Sequence, residues 1–308
     1  MENNKKTGFV SIIGPANAGK STLLNKILKE NIAITSKKPQ TTRRNMKGIY
    51  NDIESQIVFV DTPGIHMKKN KLDEYMDTEI EDAIKAIDLI IYMVDIIDAT
   101  NKGIEEYTDL KKLKQYKSNI ILVLNKIDVE NENVDIDKLE NDIKNIIEKE
   151  KIDNIKEIFI ISALRNKNIK ELIELIKKYL DYGPLYYDED ELTDTPTKII
   201  IADIIREHCL YKLHDEIPHG INVEVISMKK SKAGTMMIDA NVIVERVSHK
   251  AIVIGKGAKQ IKDIGVGSRI AIEKFLGKKV NLNLSVKVKE NWRSDTNLLE
   301  AYGFKKNK

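Results

Sequence analysis

The sequence predicts a two-domain α/β chain, in which a larger domain with a mostly parallel sheet precedes a smaller α+β domain. Over the first 180 residues, short apolar runs alternate with amphipathic stretches. A Gly-rich turn joins the first run to the first helix-like stretch, and the alternation stops at a segment that holds Pro184 and Pro196. Alternating strands and helices favour βαβ units and a parallel sheet.

The larger domain is predicted to span residues 1–180. Its strands are the apolar runs Gly8–Ile13, Gln56–Val60, Leu89–Val94, Asn119–Leu124 and Glu157–Ile161. The amphipathic stretches Thr22–Leu28, Asp137–Glu150 and Ile169–Leu180 have the spacing of helices. Residues 45–57 predict an additional strand pair with a turn near Asn51.

The smaller domain is predicted to span residues 197–308, after a linker at residues 181–196. Its pattern is a helix, two strands, a Gly-rich turn, a second helix and a last strand. These are Lys198–Leu213, Ile221–Met228, Thr235–Val247, the turn around Gly255, the helix to Phe275, and Val280–Val288. By propensity alone, Ala251–Ile254 is predicted to be a strand.

Composition excludes several classes of protein. The 308 residues are 42% hydrophobic and 32% charged, which excludes general disorder. The single cysteine, Cys209, excludes a disulfide scaffold and a cysteine-based zinc site. We also find no apolar run near the ~20 residues of a membrane span, and no signal peptide.

Charge is distributed unequally along the chain. Residues 241–308 hold 15 Lys/Arg and 6 Asp/Glu, a balance of +9, and the first 240 residues hold 36 and 42, a balance of −6. The excess of positive charge predicts a polyanionic partner for the C-terminal part. A solvated lysine-rich face is the alternative.

A phosphate-binding motif follows the first strand. Residues Gly14, Pro15, Ala16, Asn17, Ala18, Gly19, Lys20 and Ser21 fit G-x-x-x-x-G-K-[ST], and Thr22 opens the helix behind them. The backbone N–H groups of such a loop surround phosphate oxygens at a helix N-terminus. We expect Lys20 to reach the β- and γ-phosphates and the Ser21 hydroxyl to bind Mg²⁺.

A second motif, Asp61, Thr62, Pro63 and Gly64, directly follows another apolar run. We expect the Asp61 carboxylate to hold Mg²⁺ through water and the Gly64 N–H to donate to the γ-phosphate. D-x-x-G is weak alone, because turn aspartates are common. Its place after a strand and after the phosphate loop strengthens it.

Guanine recognition is predicted at two further strand ends. Asn125, Lys126, Ile127 and Asp128 form N-K-x-D, and Ser162, Ala163 and Leu164 follow the last apolar run. The Asp128 carboxylate can accept from guanine N1–H and the 2-amino group, a donor pair that adenine lacks. Lys126 can lie along the base plane. The four motifs in this order, each at a strand end, predict binding of GTP and GDP and hydrolysis of GTP.

A switch segment, Pro39–Arg43, lies between the first two motifs. We expect Thr42 to add a hydroxyl to Mg²⁺ in the triphosphate state, with Thr41 as the alternative. Ile65 stands where Ras-like enzymes have a glutamine that orients water. The neighbouring His66 is more typical of a surface loop than of a general base.

These stretches together resemble the Era family of bacterial ribosome-assembly GTPases. The resemblance also rests on Ile34–Ser36, Tyr186–Pro196, Ile204–Glu207, Glu216–His219 and Val286–Lys289. It implies a P-loop GTPase domain and a type II KH domain. Its implied partners are the single-stranded 3′ end of small-subunit ribosomal RNA and the small ribosomal subunit. With Ile65 at the glutamine position, the chain also resembles GTPases that have a hydrophobic residue there. In several of those, potassium is bound by a phosphate-loop asparagine, and Asn17 occupies the matching position here.

The resemblance places RNA binding at Gly255, Lys256, Gly257 and Ala258, the counterpart of the KH G-x-x-G loop. Ala258 replaces the last glycine of the pattern. Lys259, Lys262 and Arg269 are the expected phosphate contacts, with Lys287, Lys289 and Arg293 as weaker candidates. Trp292 either stacks on a base or covers the sheet edge.

Three functions compete at this point. The first is a GTPase switch that acts on ribosomal RNA, and the second is an RNA-binding module whose orientation GTP sets. The third is a peripheral membrane or cell-cycle GTPase, although we find no basic amphipathic helix that favours it. The predicted state is a cytoplasmic monomer, with contact at the inner face of the cell membrane as the alternative location.

Overall fold

The computed structural model describes residues 5–36, 38, 40–65, 69–85, 87–129 and 134–304. Pro39 and His66 therefore lie outside the described residues. The chain divides into two compact units. The first includes Met1–Glu30, Thr42–His66 and Asp77–Asp194, and the second includes Asn31–Thr41, Met67–Met76 and Thr195–Lys308.

The first unit has the predicted alternation of strands and helices. Its elements are β1 (Lys5–Ile13), α1 (Lys20–Leu28), β2 (Met46–Asn51), β3 (Ser55–Asp61), α2 (Lys71–Asp82, of which the part up to Met76 belongs to the second unit), β4 (Leu89–Asp95), α3 (Ile96–Lys102), α4 (Ile104–Tyr107), α5 (Leu110–Leu113), β5 (Asn119–Asn125), α6 (Ile136–Glu150), β6 (Ile155–Ile161), α7 (Ile169–Lys177) and β7 (Asp181–Gly183).

The sheet of this unit has the order β2-β3-β1-β4-β5-β6, with β7 paired to β1. All of its pairs are parallel except β2 with β3 and β7 with β1. Every residue of β4 is buried, as expected for a strand covered on both faces. The predicted mostly parallel α/β fold is confirmed, and the carboxyl ends of β1, β3, β5 and β6 carry the nucleotide motifs.

The segment after β7 packs onto the first unit. The Gln56 side chain accepts from the N–H groups of Tyr186 and Tyr187 at 2.7 and 3.1 Å and donates to the Tyr187 carbonyl at 2.8 Å. Further along, the Ile49 N–H donates to the Leu192 carbonyl at 2.9 Å. These bonds give partners to the Ile49 N–H at the outer edge of β2 and to the buried amide of Gln56.

The second unit has a smaller mixed sheet. Its elements are α8 (Thr197–Lys212), β8 (Asn222–Lys230), β9 (Met236–Val244), α9 (Val247–Ile254), α10 (Lys259–Leu276), β10 (Val280–Val288) and α11 (Thr296–Ala301). The strand order is β10-β9-β8, in which β10 is parallel to β9 and β8 is antiparallel to it. This α-β-β-α-α-β order confirms the expected type II KH fold.

The strand expected from propensity at Ala251–Ile254 is wrong. These residues form the second half of α9, as the family resemblance implies. His249 and Val253, four residues apart, are both buried and give the helix its inner face. Packing therefore overrides the strand preference of a β-branched run.

Trp292 lies in an apolar cluster with Leu72, Tyr75, Met76 and Phe304. Its side chain is completely buried and its indole N–H donates to the Gly220 carbonyl at 2.9 Å. A side chain in this position has no face for a base, so the stacking alternative is excluded. Within the described ranges, no helix has the length and apolar character needed to cross a bilayer.

Candidate nucleotide and RNA sites

The phosphate loop joins β1 to α1 in a conformation that requires its glycines. Gly14 and Gly19 have φ of 142° and 101°, values that side chains with a Cβ rarely adopt. A Cβ on Gly14 would also collide with the Met93 carbonyl, and one on Gly19 with the Asn125 amide. Asn17 sits at the exposed tip with φ 63°, a region that asparagine tolerates.

Lys20 is buried behind this loop. Its ammonium donates to the carbonyls of Gly14 and Pro15 at 3.0 and 2.9 Å. Burial lowers the pKa of Lys20 to about 8, although the charge of Asp61 acts in the opposite direction. Main-chain carbonyls are weak partners for a buried cation, so the ammonium is suited to an anionic ligand in the loop.

Three oxygen-bearing side chains meet beside Lys20. Ser21 Oγ donates to Asp61 Oδ2 at 2.6 Å and lies 2.9 Å from Thr42 Oγ1. Asp61 is fully buried, and its other oxygen, Oδ1, has no hydrogen-bond partner among the described residues. Burial raises the pKa of Asp61 to about 6, against the opposing effects of the Ser21 hydrogen bond and the Lys20 charge. An unpartnered buried carboxylate oxygen is suited to a cation or to water bound to one.

The other residues of the second motif are positioned by the strand end. Thr62 is buried and its hydroxyl donates to the Ile12 carbonyl at 2.9 Å, while Pro63 is buried beside it. A Cβ on Gly64 would come within 2.7 Å of Ala16 Cα, so the motif packs directly against the phosphate loop. Ile65 is 46% exposed. Its hydrocarbon side chain offers no group that can orient water.

The guanine motifs are tied to the phosphate loop by one buried side chain. Asn125 donates to the Ala18 carbonyl at 2.8 Å and accepts from the Ala163 N–H at 2.9 Å. Ser162 donates to Asp128 Oδ1 at 2.5 Å, which fixes the carboxylate expected to read guanine. Lys126 and Ile127 complete the turn between them, and Leu164 is exposed at its rim.

Thr41 and Thr42 have different partners. The Thr41 hydroxyl donates to the Lys38 carbonyl at 2.6 Å within its own loop, whereas the Thr42 hydroxyl lies beside Ser21. This geometry favours Thr42 as the ligand. Thr22 lies half-buried in the first turn of α1.

The predicted RNA loop lies between α9 and α10. Gly255, Gly257 and Ala258 all have positive φ, at 73°, 60° and 59°. A Cβ on Gly257 would meet nothing within 4 Å, so this position faces open space. Ala258 adopts the left-handed conformation despite its Cβ, at a cost of about 1 kcal/mol.

The predicted phosphate contacts differ in how they are partnered. In the part of the chain that the structure describes, Lys256, Lys259 and Lys262 are exposed and make no ion pair. Arg269 pairs with Glu273 at 2.9 Å, and Arg293 pairs with Glu245 at 2.6 Å. The lysines are therefore the more available cations. Lys287 and Lys289 are exposed along and just beyond β10.

Comparison with known proteins identifies a GTPase domain and a KH domain in this chain. The family described as 50S ribosome-binding GTPase matches residues 9–126, and the KH domain family matches residues 216–293. GTPase Era of Clostridium tetani (strain Massachusetts / E88) is 45% identical over 300 residues, which cover 97% of this chain and 99% of the relative. The chain belongs to the Era family of GTPases. GTPase Era of Clostridioides difficile (strain 630) is also 45% identical, over 303 residues that cover 97% of this chain and 98% of the relative.

Solved structures of Era resemble this Era-family chain over nearly its full length. A variant of Aquifex aeolicus Era bound to GDP and AlF₄⁻ has a TM-score of 0.86 at 33% identity, covering 97% of this chain and 99% of that one. An Era protein in complex with MgGDPNP and nucleotides 1506–1542 of 16S ribosomal RNA has a TM-score of 0.89 at 33% identity, with the same coverage.

Sequence reasoning missed two residues that bond to Thr35, Gln40 and Thr41, before and within the switch segment. In the second unit, Arg206 donates to the carbonyls of Gln40 and Thr41. Glu207 accepts from the N–H and hydroxyl of Thr35 at 2.7 and 3.1 Å. Arg206 and Glu207 carried part of the resemblance to the Era family but had no assigned role, because their partners lie about 170 positions away in the chain.

Asp95 was also missed. It is a buried carboxylate at the end of β4, outside every nucleotide motif, and it contacts Lys126. The only signal in the sequence was an acidic residue at the end of an apolar run, which is also what a simple helix cap looks like.

Proposed function

We propose that the first unit binds GTP with Mg²⁺ and hydrolyses it, and that the second unit binds single-stranded small-subunit ribosomal RNA. The observation that supports the catalytic half most directly is the meeting of Ser21, Thr42 and Asp61 beside the buried Lys20. Family membership and the relative that holds both MgGDPNP and 16S RNA support the combination.

The metal site fits Mg²⁺ by its donor chemistry. Two hydroxyl oxygens lie 2.9 Å apart, and Asp61 Oδ1 is buried without a partner among the described residues. Hard oxygen donors of this kind suit Mg²⁺, which keeps several water ligands. We assign direct contacts to Ser21 and Thr42 and a contact through water to Asp61. Bound Mg²⁺ would neutralise charge on the β- and γ-phosphate oxygens.

The protein residues then have distinct tasks. Lys20 exchanges its carbonyl partners for phosphate oxygens, and the Gly64 N–H donates to the γ-phosphate. Asn125 keeps the phosphate loop and the guanine loops in register, because it bonds to both. Asp128, held by Ser162, accepts from the guanine edge and so excludes adenine.

We further propose that potassium assists hydrolysis at Asn17. Ile65 cannot orient the attacking water. A bound cation that stabilises the charge developing on the phosphate oxygens would compensate for that loss. The exposed tip of the phosphate loop, where Asn17 lies, is a suitable place for it. Turnover should be faster in potassium chloride than in sodium chloride at equal ionic strength. Equal rates in the two salts, or a normal potassium response in Asn17→Ala, would contradict the potassium site.

The RNA surface of the second unit combines charge with exposed apolar area. Lys259, Lys262, Val266 and Ile270 follow at spacings of three and four residues along α10 and share one face of the helix. Val266 and Ile270 are 53% and 55% exposed. Lysines beside exposed apolar side chains are suited to phosphates on one side and splayed bases on the other.

RNA binding is tested by titrating a short single-stranded RNA from the 3′ end of small-subunit ribosomal RNA at several salt concentrations. Contact with about four nucleotides predicts a slope of log affinity against log salt of roughly −2 to −3. Lys256→Ala should reduce that slope by somewhat less than about one unit, for all sequences alike. Lys144→Ala, an exposed lysine of α6 in the first unit, is the matched control and should leave the slope unchanged.

A turnover assay separates this function from the alternatives. If GTP hydrolysis responds to the same RNA, the chain is a GTPase switch that acts on RNA. If RNA binding depends on nucleotide but turnover does not change with RNA, hydrolysis is incidental and the RNA-binding module is the better description. The cytoplasmic location and the membrane alternative remain predictions, and flotation with liposomes tests the second.

A further inference from the structure

Asp95 uses its two carboxylate oxygens for two different partners. Oδ1 accepts from the Ile97 N–H at 3.0 Å and so caps the N-terminus of α3. Oδ2 contacts the ammonium of Lys126. Asp95 is 3% exposed and pairs in register with Asn125 across β4 and β5. A carboxylate this deeply buried is stable as an anion only with such partners.

The contact with Lys126 matters because of where Lys126 stands. It is the lysine of N-K-x-D, and its φ of 78° directs its side chain out of the line of β5. Asn125 on one side is held by Ala18 and Ala163, and Asp128 on the other is held by Ser162. Among the described residues, Asp95 is the partner that fixes the Lys126 side chain, as Ser162 fixes that of Asp128.

We infer that Asp95 is a positioning residue for guanine nucleotides. It anchors the Lys126 ammonium so that the aliphatic stem of Lys126 lies along the face of the purine. This inference rests on the proposed function of the loop. A stem that packs on the ring face does not read the base edge. Asp95 should therefore affect the affinity for every purine that the loop accepts, without changing the choice between guanine and xanthine.

The capping role and the positioning role can be separated by two substitutions. Asparagine caps helices as well as aspartate does but has no charge, whereas glutamate keeps the charge and is a poor cap. Asp95→Asn should therefore preserve stability and weaken the hold on Lys126. Asp95→Glu should lower stability and retain an anion near Lys126.

The experiment measures dissociation of a fluorescent GDP analogue from the full chain, and urea unfolding of the nucleotide-free protein. We expect Asp95→Asn to speed dissociation by about tenfold, the size of a lost charge-assisted contact, at an unchanged urea midpoint. Asp95→Glu should lower the urea midpoint while dissociation stays within about threefold of the wild type. Asp98→Asn, a partly exposed carboxylate of the same helix, is the matched control.

Two further arms test the route of the effect. In Lys126→Met, the additional change Asp95→Asn should have no further effect on dissociation, because Asp95 acts through Lys126. In Asp128→Asn, Asp95→Asn should speed xanthosine diphosphate dissociation by the same factor as it does GDP dissociation in the wild-type background.

Three results would each overturn the inference. GDP could dissociate from Asp95→Asn at the wild-type rate, or the effects of Asp95→Asn and Lys126→Met on dissociation could be additive. The third is a loss of GDP binding that follows the fall of the urea midpoint in both Asp95 variants. Failure of the wild-type chain to bind GDP would instead reject the proposed function, so the two failures are distinguishable.

Discussion

The nucleotide site and the RNA loop of this chain are built in opposite ways. Around the phosphate loop, Lys20, Asp61 and Asn125 are buried, and each is bonded to another part of the site. Around the RNA loop, Lys256 and Lys259 are exposed and have no ion-pair partner in the described ranges. One site holds its polar side chains by internal hydrogen bonds, and the other presents charge on an open surface.

This difference follows from the ligands that the two sites are proposed to take. A nucleotide enters a pocket where charge must be matched at fixed points in a low-dielectric environment. A single strand lies along a surface, where counterion release supplies much of the binding energy and tolerates mobile side chains. Substitutions should consequently have large, specific effects in the first unit and smaller, salt-dependent effects in the second.

The largest effect is expected at Asp128. Asp128→Asn removes the carboxylate that accepts from guanine and presents an amide that can pair with a xanthine carbonyl. GTP affinity should fall by at least ~100-fold, and binding of xanthosine triphosphate should be partly restored, because polar mismatches discriminate strongly. Nucleotide titration measures both. Unchanged GTP affinity in this variant would remove the guanine assignment.

The next effect concerns Gly257. Gly257→Asp places a negative charge where RNA phosphate must approach, and it should weaken RNA binding by more than about tenfold. The loop itself should survive, since a Cβ there meets no atom within 4 Å and aspartate tolerates a φ near 60°. GTP turnover without RNA should be unchanged. RNA titration and phosphate release measure the two activities.

Gly257→Asn is the matched control for that variant, because it has nearly the same shape without the charge. It should lose much less RNA affinity than Gly257→Asp. Equal losses would point to steric exclusion instead of charge. Normal RNA binding by Gly257→Asp would reject the KH reading of the loop and leave the +9 balance as a solvated face.

A third prediction concerns pH and Asp61. Burial raises the pKa of Asp61 to about 6. Between about pH 4 and 6, Asp61 is therefore protonated in the metal-free folded chain and ionised in the unfolded chain. The free energy of unfolding of the metal-free protein should gain from this group as pH falls through that window. Mg²⁺ must displace the same proton, so its apparent affinity should fall by about tenfold per pH unit below about 6.

Urea unfolding with EDTA at several pH values measures how the free energy of unfolding depends on pH. Titration of the GDP complex with Mg²⁺ at the same pH values measures how the Mg²⁺ affinity depends on pH. Because other carboxylates also titrate here, the quantity to compare is the difference between the wild type and Asp61→Asn. If the two proteins show the same dependence of unfolding on pH, the proton does not bind at Asp61.

The nucleotide motifs could be predicted from the sequence because local rules fix them. Gly14 and Gly19 are required by backbone conformations that other residues avoid, and a strand end places each motif at one edge of the sheet. β10 was predicted with its observed bounds, because strict alternation of apolar and polar residues leaves little ambiguity.

Contacts between distant residues could not be predicted. The helix at Ala251–Ile254 depends on the burial of Val253, which no local propensity encodes. Arg206 bonds to Gln40 and Thr41 at separations of 166 and 165 positions, and Asp95 contacts Lys126 across two strands. A pattern within one segment carries no information about the partner in another, so these residues become visible only in the folded chain.

The smallest effect is expected at Ala258. The phosphate loop has glycines, Gly14 and Gly19, at positions of positive φ, whereas the RNA loop has an alanine at such a position. Its φ of 59° costs an alanine about 1 kcal/mol that a glycine would not pay. Ala258→Gly should therefore raise the free energy of unfolding of the second unit by at most about 0.5 kcal/mol, after allowing for the greater entropy of glycine in the unfolded chain. Gly277→Ala, the converse change at φ 61° in open space, should lower it by a similar amount. Urea unfolding followed by Trp292 fluorescence measures both. If Ala258→Gly is destabilising, residue 258 does not prefer the left-handed conformation in solution. The backbone of the RNA loop, and not only its exposed lysine side chains, would then be less preformed than the nucleotide site.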